Sequence, residues 1–213
     1  MAQTSFLPVY DAEYAEKLGL RGETFRKAFE ILEAMEKSSY NIVETGCARS
    51  ESNWSQDGQS TLLFDRFVNH WDGAVRTVDI NQAACTWLRG KASGKVTITC
   101  SDSVAYLREL SRSDELNVDF LYLDSYDLDW RNPHPAALHH LHELCAIMPL
   151  LASGTLVVVD DTARNQARVQ FKGQEMIVHD FGVAGKGGYV AEFFSKIGCA
   201  PVIEGYQHGW IMP

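Results

Sequence analysis

The sequence of 213 residues predicts an α/β protein with an open, mostly parallel sheet and helices on both faces. Short apolar runs typical of buried strands alternate five times with segments of helical periodicity, and this alternation favours strand–helix–strand units. The composition, 46% hydrophobic and 22% charged, suits one globular domain with a sizeable core. We therefore expect residues 1–213 to form a single domain.

Helices are predicted wherever apolar side chains recur with the spacing of a helix face. The first such pattern covers residues 10–38, so residues 1–39 are expected to form an N-terminal helical segment that packs beside the sheet or covers the site. The later helical patterns cover 60–69, 82–90, 103–110, 135–148 and 188–197.

Strands are predicted from short apolar runs, and five of these runs end in acids. Residues 168–178 predict a hairpin that turns at Lys172–Gly173, and 201–212 predict a final antiparallel pair. The acids at or just after the five strand ends are Glu44, Asp79, Asp102, Asp124, and Asp160 with Asp161.

The charge balance restricts the partners. With 19 basic and 28 acidic residues, the net charge of −9 disfavours binding to nucleic acid or to an anionic membrane. The N-terminus lacks the cationic and apolar regions of a secretory signal, and the five cysteines form no CxxC pair. We therefore expect a cytoplasmic protein with reduced thiols.

The acids at the strand ends indicate a ligand site. In open parallel sheets, ligands bind at the carboxyl ends of the strands, near the point where the strand order reverses. A single acid after a strand is usually a helix cap. Five strand ends in succession that carry carboxylates favour binding or catalysis.

Asp79 ends the second predicted strand, where an acid can accept both hydroxyls of a ribose. This position alone is compatible with NAD. However, no GxGxxG motif or other glycine-rich phosphate loop follows Gly46. A cofactor with ribose and adenine but no pyrophosphate, such as S-adenosylmethionine (SAM), fits better.

These motifs resemble those of class I SAM-dependent methyltransferases, in particular the metal-dependent O-methyltransferases. The similarity is to the macrocin and mycinamicin sugar O-methyltransferase type and, more remotely, to the catechol type. It covers roughly residues 40–212. The motifs that carry it are IVETG at 42–46, GQST at 58–61, VDIN at 78–81, SDS at 101–103, LDSYD at 123–127 and VVVDDT at 157–162.

The resemblance implies a Rossmann-like sheet of seven strands, in the order 3-2-1-4-5-7-6, with the last strand antiparallel. One departure is the polar segment Arg49–Asp57, which separates Gly46 from Gly58; within it, Trp54 either covers the site or packs in an exposed loop. The implied SAM-binding residues are Glu44, Thr45, Gly46, Gly58, Ser60, Asp79, Ile80, Asp102 and Ser103.

Three acids resemble the metal ligands of that family. Asp124, Asp160 and Asp161 offer hard oxygen ligands suited to Mg²⁺ or Mn²⁺. Clustered carboxylates repel one another unless a cation is present. The adjacent Asp160 and Asp161 can converge only where the strand breaks into a loop. The alternative is a helix cap beside a surface acid.

The general base has two candidates. Asp127 stands where the family has a Lys or a His, and His134 precedes the next helix. Lys186 either contacts the acceptor or its anion, or has a capping role or is simply solvated. The histidines His139, His140 and His142 lie off the apolar face of the predicted helix and are expected in solvent.

The expected function is SAM-dependent, Mg²⁺-assisted O-methylation of a small hydroxylated molecule, such as a sugar or another natural product. Two alternatives remain open, an NAD-dependent oxidoreductase of Rossmann type and a SAM-binding protein without turnover. The resemblance also allows a homo-oligomer.

Overall fold

The structure is a computed structural model that describes residues 4–57, 59–112, 116–171 and 173–213. The strands are β1 Tyr40–Thr45, β2 Gly73–Asp79, β3 Val96–Cys100, β4 Phe120–Leu123, β5 Leu156–Val159, β6 Thr162–Phe171, β7 Gln174–Gly185 and β8 His208–Ile211.

Helices connect and cover the strands. Two short 3-10 turns lie at Gly19–Arg21 and Met148–Leu150. The α-helices are α1 Leu7–Glu13, α2 Gly22–Ala34, α3 Trp54–Asp57, α4 Ser60–Trp71, α5 Gln82–Arg89, α6 Ser103–Leu110, α7 His134–Ile147 and α8 Gly188–Lys196. In the described ranges, none of them is both long and apolar enough to span a membrane.

The main sheet has the order β3-β2-β1-β4-β5-β8 among the described residues. Strands β1 to β5 are parallel, and β8 pairs with β5 in the antiparallel direction. The predicted α/β class with an antiparallel last strand is therefore confirmed. The strand order reverses between β1 and β4, so the carboxyl ends of these two strands flank the crevice where such sheets bind ligands.

The predicted sheet has seven strands, and the sixth in chain order, directly before the antiparallel last strand, is absent from this sheet in the residues that the structure describes. Where it was expected, Ile203 and Gly209 form only an isolated bridge. Pro201 has no N–H to donate, and the chain bends directly after Glu204, so no ladder extends from the bridge.

The predicted hairpin exists and is longer than expected. Strands β6 and β7 form a separate antiparallel ribbon, paired from Thr162 with Gly185 to Phe171 with Gln174. The predicted turn residue Lys172 lies outside the described residues. The ribbon ends at Gly185, directly before Lys186.

Apolar side chains bury both faces of the main sheet. On one face, α1, α2 and α4 contribute a cluster rich in phenylalanine, and on the other face α6, α7 and α8 pack. In α2, Phe25, Ala28, Phe29 and Leu32 are at most 1% exposed, as its periodicity predicts. Because α1 and α2 lie against the sheet, the turn between them brings Arg21 to the carboxyl end of β5.

Candidate active site at the carboxyl edge of the sheet

The loop after β1 passes very close to the loop after β4. Gly46 has φ +79°, and a Cβ atom there would overlap the carbonyl oxygen of Asp124. Only glycine combines this backbone conformation with this approach. Gly46 therefore lets the loops after β1 and β4 lie against each other at the point where the strand order reverses.

Glu44 and Thr45 lie beneath the site and are not among the residues that line the cavities described below. Glu44 is fully buried, and its two oxygens accept hydrogen bonds of 2.5 Å from the hydroxyls of Ser60 and Thr61. Burial raises the pKa of Glu44 to about 7. Thr45 is also buried and donates to Glu143 at 3.0 Å.

A cavity of 330 Å³ opens beyond β2 and β3. Its floor includes Asp79, whose carboxylate accepts hydrogen bonds from the N–H groups of Cys47 (3.0 Å) and Asn81 (2.7 Å). These bonds fix the carboxylate without cancelling its charge. The complete lining is Asp79, Ile80, Asp102, Ser103, Ser125, Tyr126 and His139.

The structure thus brings together four of the predicted cofactor residues. Ile80 is 76% exposed and provides an apolar wall. Asp102 caps helix α6 by accepting a hydrogen bond from Ala105 N–H at 2.8 Å. The same residue also lines the cavity. The predicted Gly58 lies outside the described residues.

A polar network under this cavity was not predicted. Glu143 is buried and accepts from Ser125 at 2.5 Å, and His139 Nε2 lies 3.3 Å from it. The hydrogen bond to Glu143 raises the pKa of His139. His140 is completely buried, and burial lowers its pKa to about 4.

The expectation of solvated histidines was therefore wrong for His139 and His140, although His142 is exposed. Helix α7 packs between the sheet and the helices α6 and α8, so its buried surface is wider than its apolar stripe. The spacing of acids and histidines at 139, 140 and 143 was the available signal, because residues three or four apart share a helix face.

The three acids predicted as metal ligands do converge. Asp124 follows β4, and Asp160 and Asp161 follow β5, with one oxygen of each within 4.8 Å of the others. Asp161 has φ +43°, a left-handed conformation that is uncommon outside glycine. This backbone turn at the strand end lets both neighbouring carboxylates face one point.

Arg21 occupies one side of this acid cluster, which we define as Asp124, Asp160 and Asp161. Arg21 is only 5% exposed; its Nη2 lies 2.7 Å from Asp160 Oδ2 and its Nε lies 3.0 Å from both oxygens. Gln207 also donates to Asp160 Oδ1, at 2.9 Å. Both oxygens of the buried Asp160 are therefore already engaged.

Lys186 occupies the other side of the acid cluster. Its ammonium contacts Asp124 Oδ1 and lies 3.0 Å from Asp161 Oδ2. Burial alone would lower the pKa of Lys186, but the facing Asp124 and Asp161 outweigh it and keep the pKa above its usual value. Tyr206 donates a 2.5 Å hydrogen bond to Asp161.

The acid cluster has the right oxygen chemistry for Mg²⁺, but its arrangement does not fit the ion. Mg²⁺ requires short, near-octahedral oxygen contacts. Asp160 is engaged by Arg21 and Gln207, and the Lys186 ammonium stands against the two other carboxylates. A divalent cation would have to displace Lys186.

The two candidate bases lie in different places. Asp127 lines a small cavity of 80 Å³ together with Gly46, Asp124 and Lys186, and its exposed carboxylate pairs with Arg49 at 3.0 Å. Ser60 also lines this cavity, although its hydroxyl donates a hydrogen bond to Glu44.

His134 lines a separate cavity of 570 Å³ beside the β6–β7 ribbon, and its Nδ1 lies 2.8 Å from the Tyr189 hydroxyl. The structure therefore brings Asp127, but not His134, to the acid cluster. Trp54 of the inserted segment is half-buried and contacts Tyr14, so the segment packs against the N-terminal helices.

No family model matches the chain, and no curated protein matches it. Solved structures are similar in fold. The structure of LepI in complex with SAM aligns with a TM-score of 0.51 at 11% identity, over 85% of this chain and 46% of LepI. The chain thus spans less than half the length of LepI. This likeness establishes a shared Rossmann-like fold.

Two further structures align more loosely. YjhP from E. coli has a TM-score of 0.46 at 11% identity, over 82% of this chain and 64% of YjhP. Fibrillarin from Aeropyrum pernix, with natively bound S-adenosyl-L-methionine, has a TM-score of 0.44 at 14% identity, over 82% of this chain and 67% of fibrillarin.

Proposed function

We propose that the chain is a SAM-dependent methyltransferase that methylates a hydroxyl oxygen of a small molecule. One observation carries the proposal. A cavity of 330 Å³ with Asp79 in its lining adjoins the small cavity at the acid cluster, because Ser125 of the first follows Asp124 of the second, and the N–H of Cys47 of the second donates to Asp79. A cofactor with adenosine at one end and a reactive methyl group at the other fits two adjoining cavities of this kind.

Charge favours SAM over NAD. Asp79 and Asp102 line the cavity, and no Lys or Arg is among the described residues that line it. A pyrophosphate in this cavity would be repelled by these two carboxylates, whereas the positive charge of SAM is attracted. The hydroxyls of Ser60 and Thr61 at the start of α4 donate to Glu44, so they are already engaged. LepI, which shares the fold, was solved with SAM.

The proposed reaction is an in-line displacement. The acceptor oxygen forms a bond to the methyl carbon while the carbon–sulfur bond breaks, and the bonding pair stays on sulfur to give S-adenosylhomocysteine (SAH). We assign the hydroxyl proton to Asp127, which lines the same small cavity as Gly46 and passes the proton to water. The protein's main contribution is to align the two substrates.

The magnesium or manganese ion expected at Asp124, Asp160 and Asp161 stays a prediction. Such an ion would polarise the acceptor hydroxyl. Because the present arrangement of Arg21 and Lys186 does not fit it, the proposed reaction contains no step through a metal.

Calorimetric titration with SAM, SAH and NADH tests the proposal. We expect micromolar binding of SAM and SAH and no binding of NADH. A screen of hydroxylated compounds, read out as SAH release and a product one methyl group heavier, then tests turnover. NADH binding without SAM binding would favour the oxidoreductase, and SAM binding without any product would favour the non-catalytic alternative.

A further inference from the structure

Lys186 is delivered to the acid cluster by a turn that only glycine permits. Gly185 has φ +80°, and a Cβ atom there would overlap the carbonyl oxygen of Asp161. At Gly187, a Cβ atom would overlap the side chain of Thr162. Both neighbours of the lysine must therefore be glycine for the two turns to lie this close.

Hydrogen bonds clamp the same two turns together. Lys186 N–H donates to the carbonyl of Asp161 at 3.0 Å, and Gly187 N–H donates to the Thr162 hydroxyl at 2.9 Å. The Thr162 hydroxyl in turn donates to the carbonyl of Asp160 at 2.9 Å. The backbone thus fixes the position of the lysine, which is only 3% exposed.

The carboxylates around Lys186 already have positively charged partners. The acid cluster has three carboxylates, and Arg21 pairs with Asp160. The ammonium of Lys186 serves the other two, Asp124 and Asp161. A divalent ion added to these groups would lie beside a buried ammonium, and the two like charges would repel each other strongly in this poorly solvated place.

We propose that Lys186 is a built-in cation that takes the place of the divalent metal at the acid cluster and holds the acceptor oxygen next to the methyl donor. This inference rests on the proposed function. Lys186 and Gly46 line the same small cavity, so the ammonium lies beside the expected path of the cofactor. An ammonium has three N–H donors, and Asp124 and Asp161 use two of them among the described contacts.

The third N–H can donate to the acceptor oxygen. A fixed positive charge beside a hydroxyl favours its ionised form, as a metal would, although with half the charge. Lys186 is thus a positioning residue of the acceptor, and the enzyme needs no added metal.

Manganese binding, measured by electron paramagnetic resonance, tests this inference without an acceptor. The wild-type protein should show no saturable Mn²⁺ binding up to millimolar concentration. The variant Lys186→Met keeps the length of the side chain and removes the charge, so it should gain a saturable Mn²⁺ site with a Kd at least about tenfold below the highest concentration at which the wild type shows none. Lys186→Arg should behave like the wild type, and Lys196→Met, at an exposed lysine, is the matched control.

Two results would overturn the inference. One is an Mn²⁺ site in the wild type that Asp124→Asn abolishes, because the acids would then hold a metal beside the lysine. This measurement does not depend on the folding of a Lys186 variant. The other is a folded Lys186→Met protein, checked by circular dichroism, that gains no Mn²⁺ site. Calorimetry with SAM on the same samples separates either failure from a failure of the proposed function.

Discussion

The acids on the two halves of the carboxyl edge are satisfied in different ways. Beyond β2 and β3, Asp79 and Asp102 accept from backbone N–H groups, of which that of Cys47 is 32 positions from Asp79 and the other two are within three. Beyond β4 and β5, Asp160 and Asp124 are paired with the cationic side chains Arg21 and Lys186. The first half keeps its negative charge and can attract a cationic cofactor. In the second half the charge is mostly cancelled, and the ion pairs hold three distant segments together.

The largest effect should come from breaking the buried ion pair of the second half. Arg21→Met leaves Asp160 charged and fully buried, with Gln207 as the one remaining side-chain donor among the described residues, so the free energy of unfolding should fall by about 3–5 kcal/mol. Urea unfolding measures it. Arg26→Met, which removes surface pairs with Asp11 and Glu30, is the matched control and should change little. Equal losses of unfolding free energy in both variants would show that the buried pair contributes no more to stability than an exposed pair.

The next effect concerns Glu44 under the first half. Its folded pKa of about 7 is above the ordinary value of 4.5, so the folded state binds the proton more tightly than the unfolded state. Stability is therefore greatest below the unfolded pKa and declines as the pH rises through about 7, by ~3 kcal/mol in total.

Glu44→Gln should remove this decline. The measurement is urea unfolding of the wild type and the variant at about pH 4.5 and about pH 8, and the difference between them isolates the contribution of Glu44. If both proteins lost the same stability over this interval, Glu44 would not be the buried titrating group.

A smaller effect is expected for the binding of the cofactor. Asp79→Ala removes the acceptor proposed for the ribose hydroxyls and should weaken SAM binding by ~1–3 kcal/mol in calorimetry. Asp129→Asn, at an exposed acid outside the cavity, should leave the affinity unchanged. If Asp79→Ala bound SAM with unchanged affinity, Asp79 would not be a ligand of the cofactor.

The smallest effect should be the loss of a helix cap. Asp102→Ala removes the hydrogen bond to Ala105 N–H at the start of α6 and should lower the free energy of unfolding by about 1 kcal/mol. Thermal or urea unfolding measures it. If Asp102→Ala lost as much stability as Arg21→Met, acids that accept from backbone N–H groups would not differ in stability contribution from acids that pair with a buried cation.

The same distinction explains how much the sequence could predict. Strands that end in acids are visible as local patterns, and parallel strands bring those ends to one edge, so Asp79, Asp102, Asp124 and Asp160 could be predicted to lie there. The mostly parallel sheet followed from the alternation of strand and helix patterns, whereas its order came from the family resemblance, which also implied a sixth strand that the described residues do not form in this sheet.

The partners of the second half could not be predicted in this way. Arg21 is 139 positions away from Asp160, and Lys186 is 62 positions away from Asp124. No periodicity relates such pairs, and only the packing of the N-terminal helices and of the β6–β7 ribbon creates them. The glycines on both sides of Lys186 were the one local sign of a tight approach.

The most direct measurement of the central claim is a crystal structure with SAH. We predict that the adenosine lies in the 330 Å³ cavity with its ribose hydroxyls on Asp79, and that the sulfur lies over Gly46 and faces the small cavity with Lys186. SAH bound elsewhere, or NADH in this cavity in its place, would contradict the account.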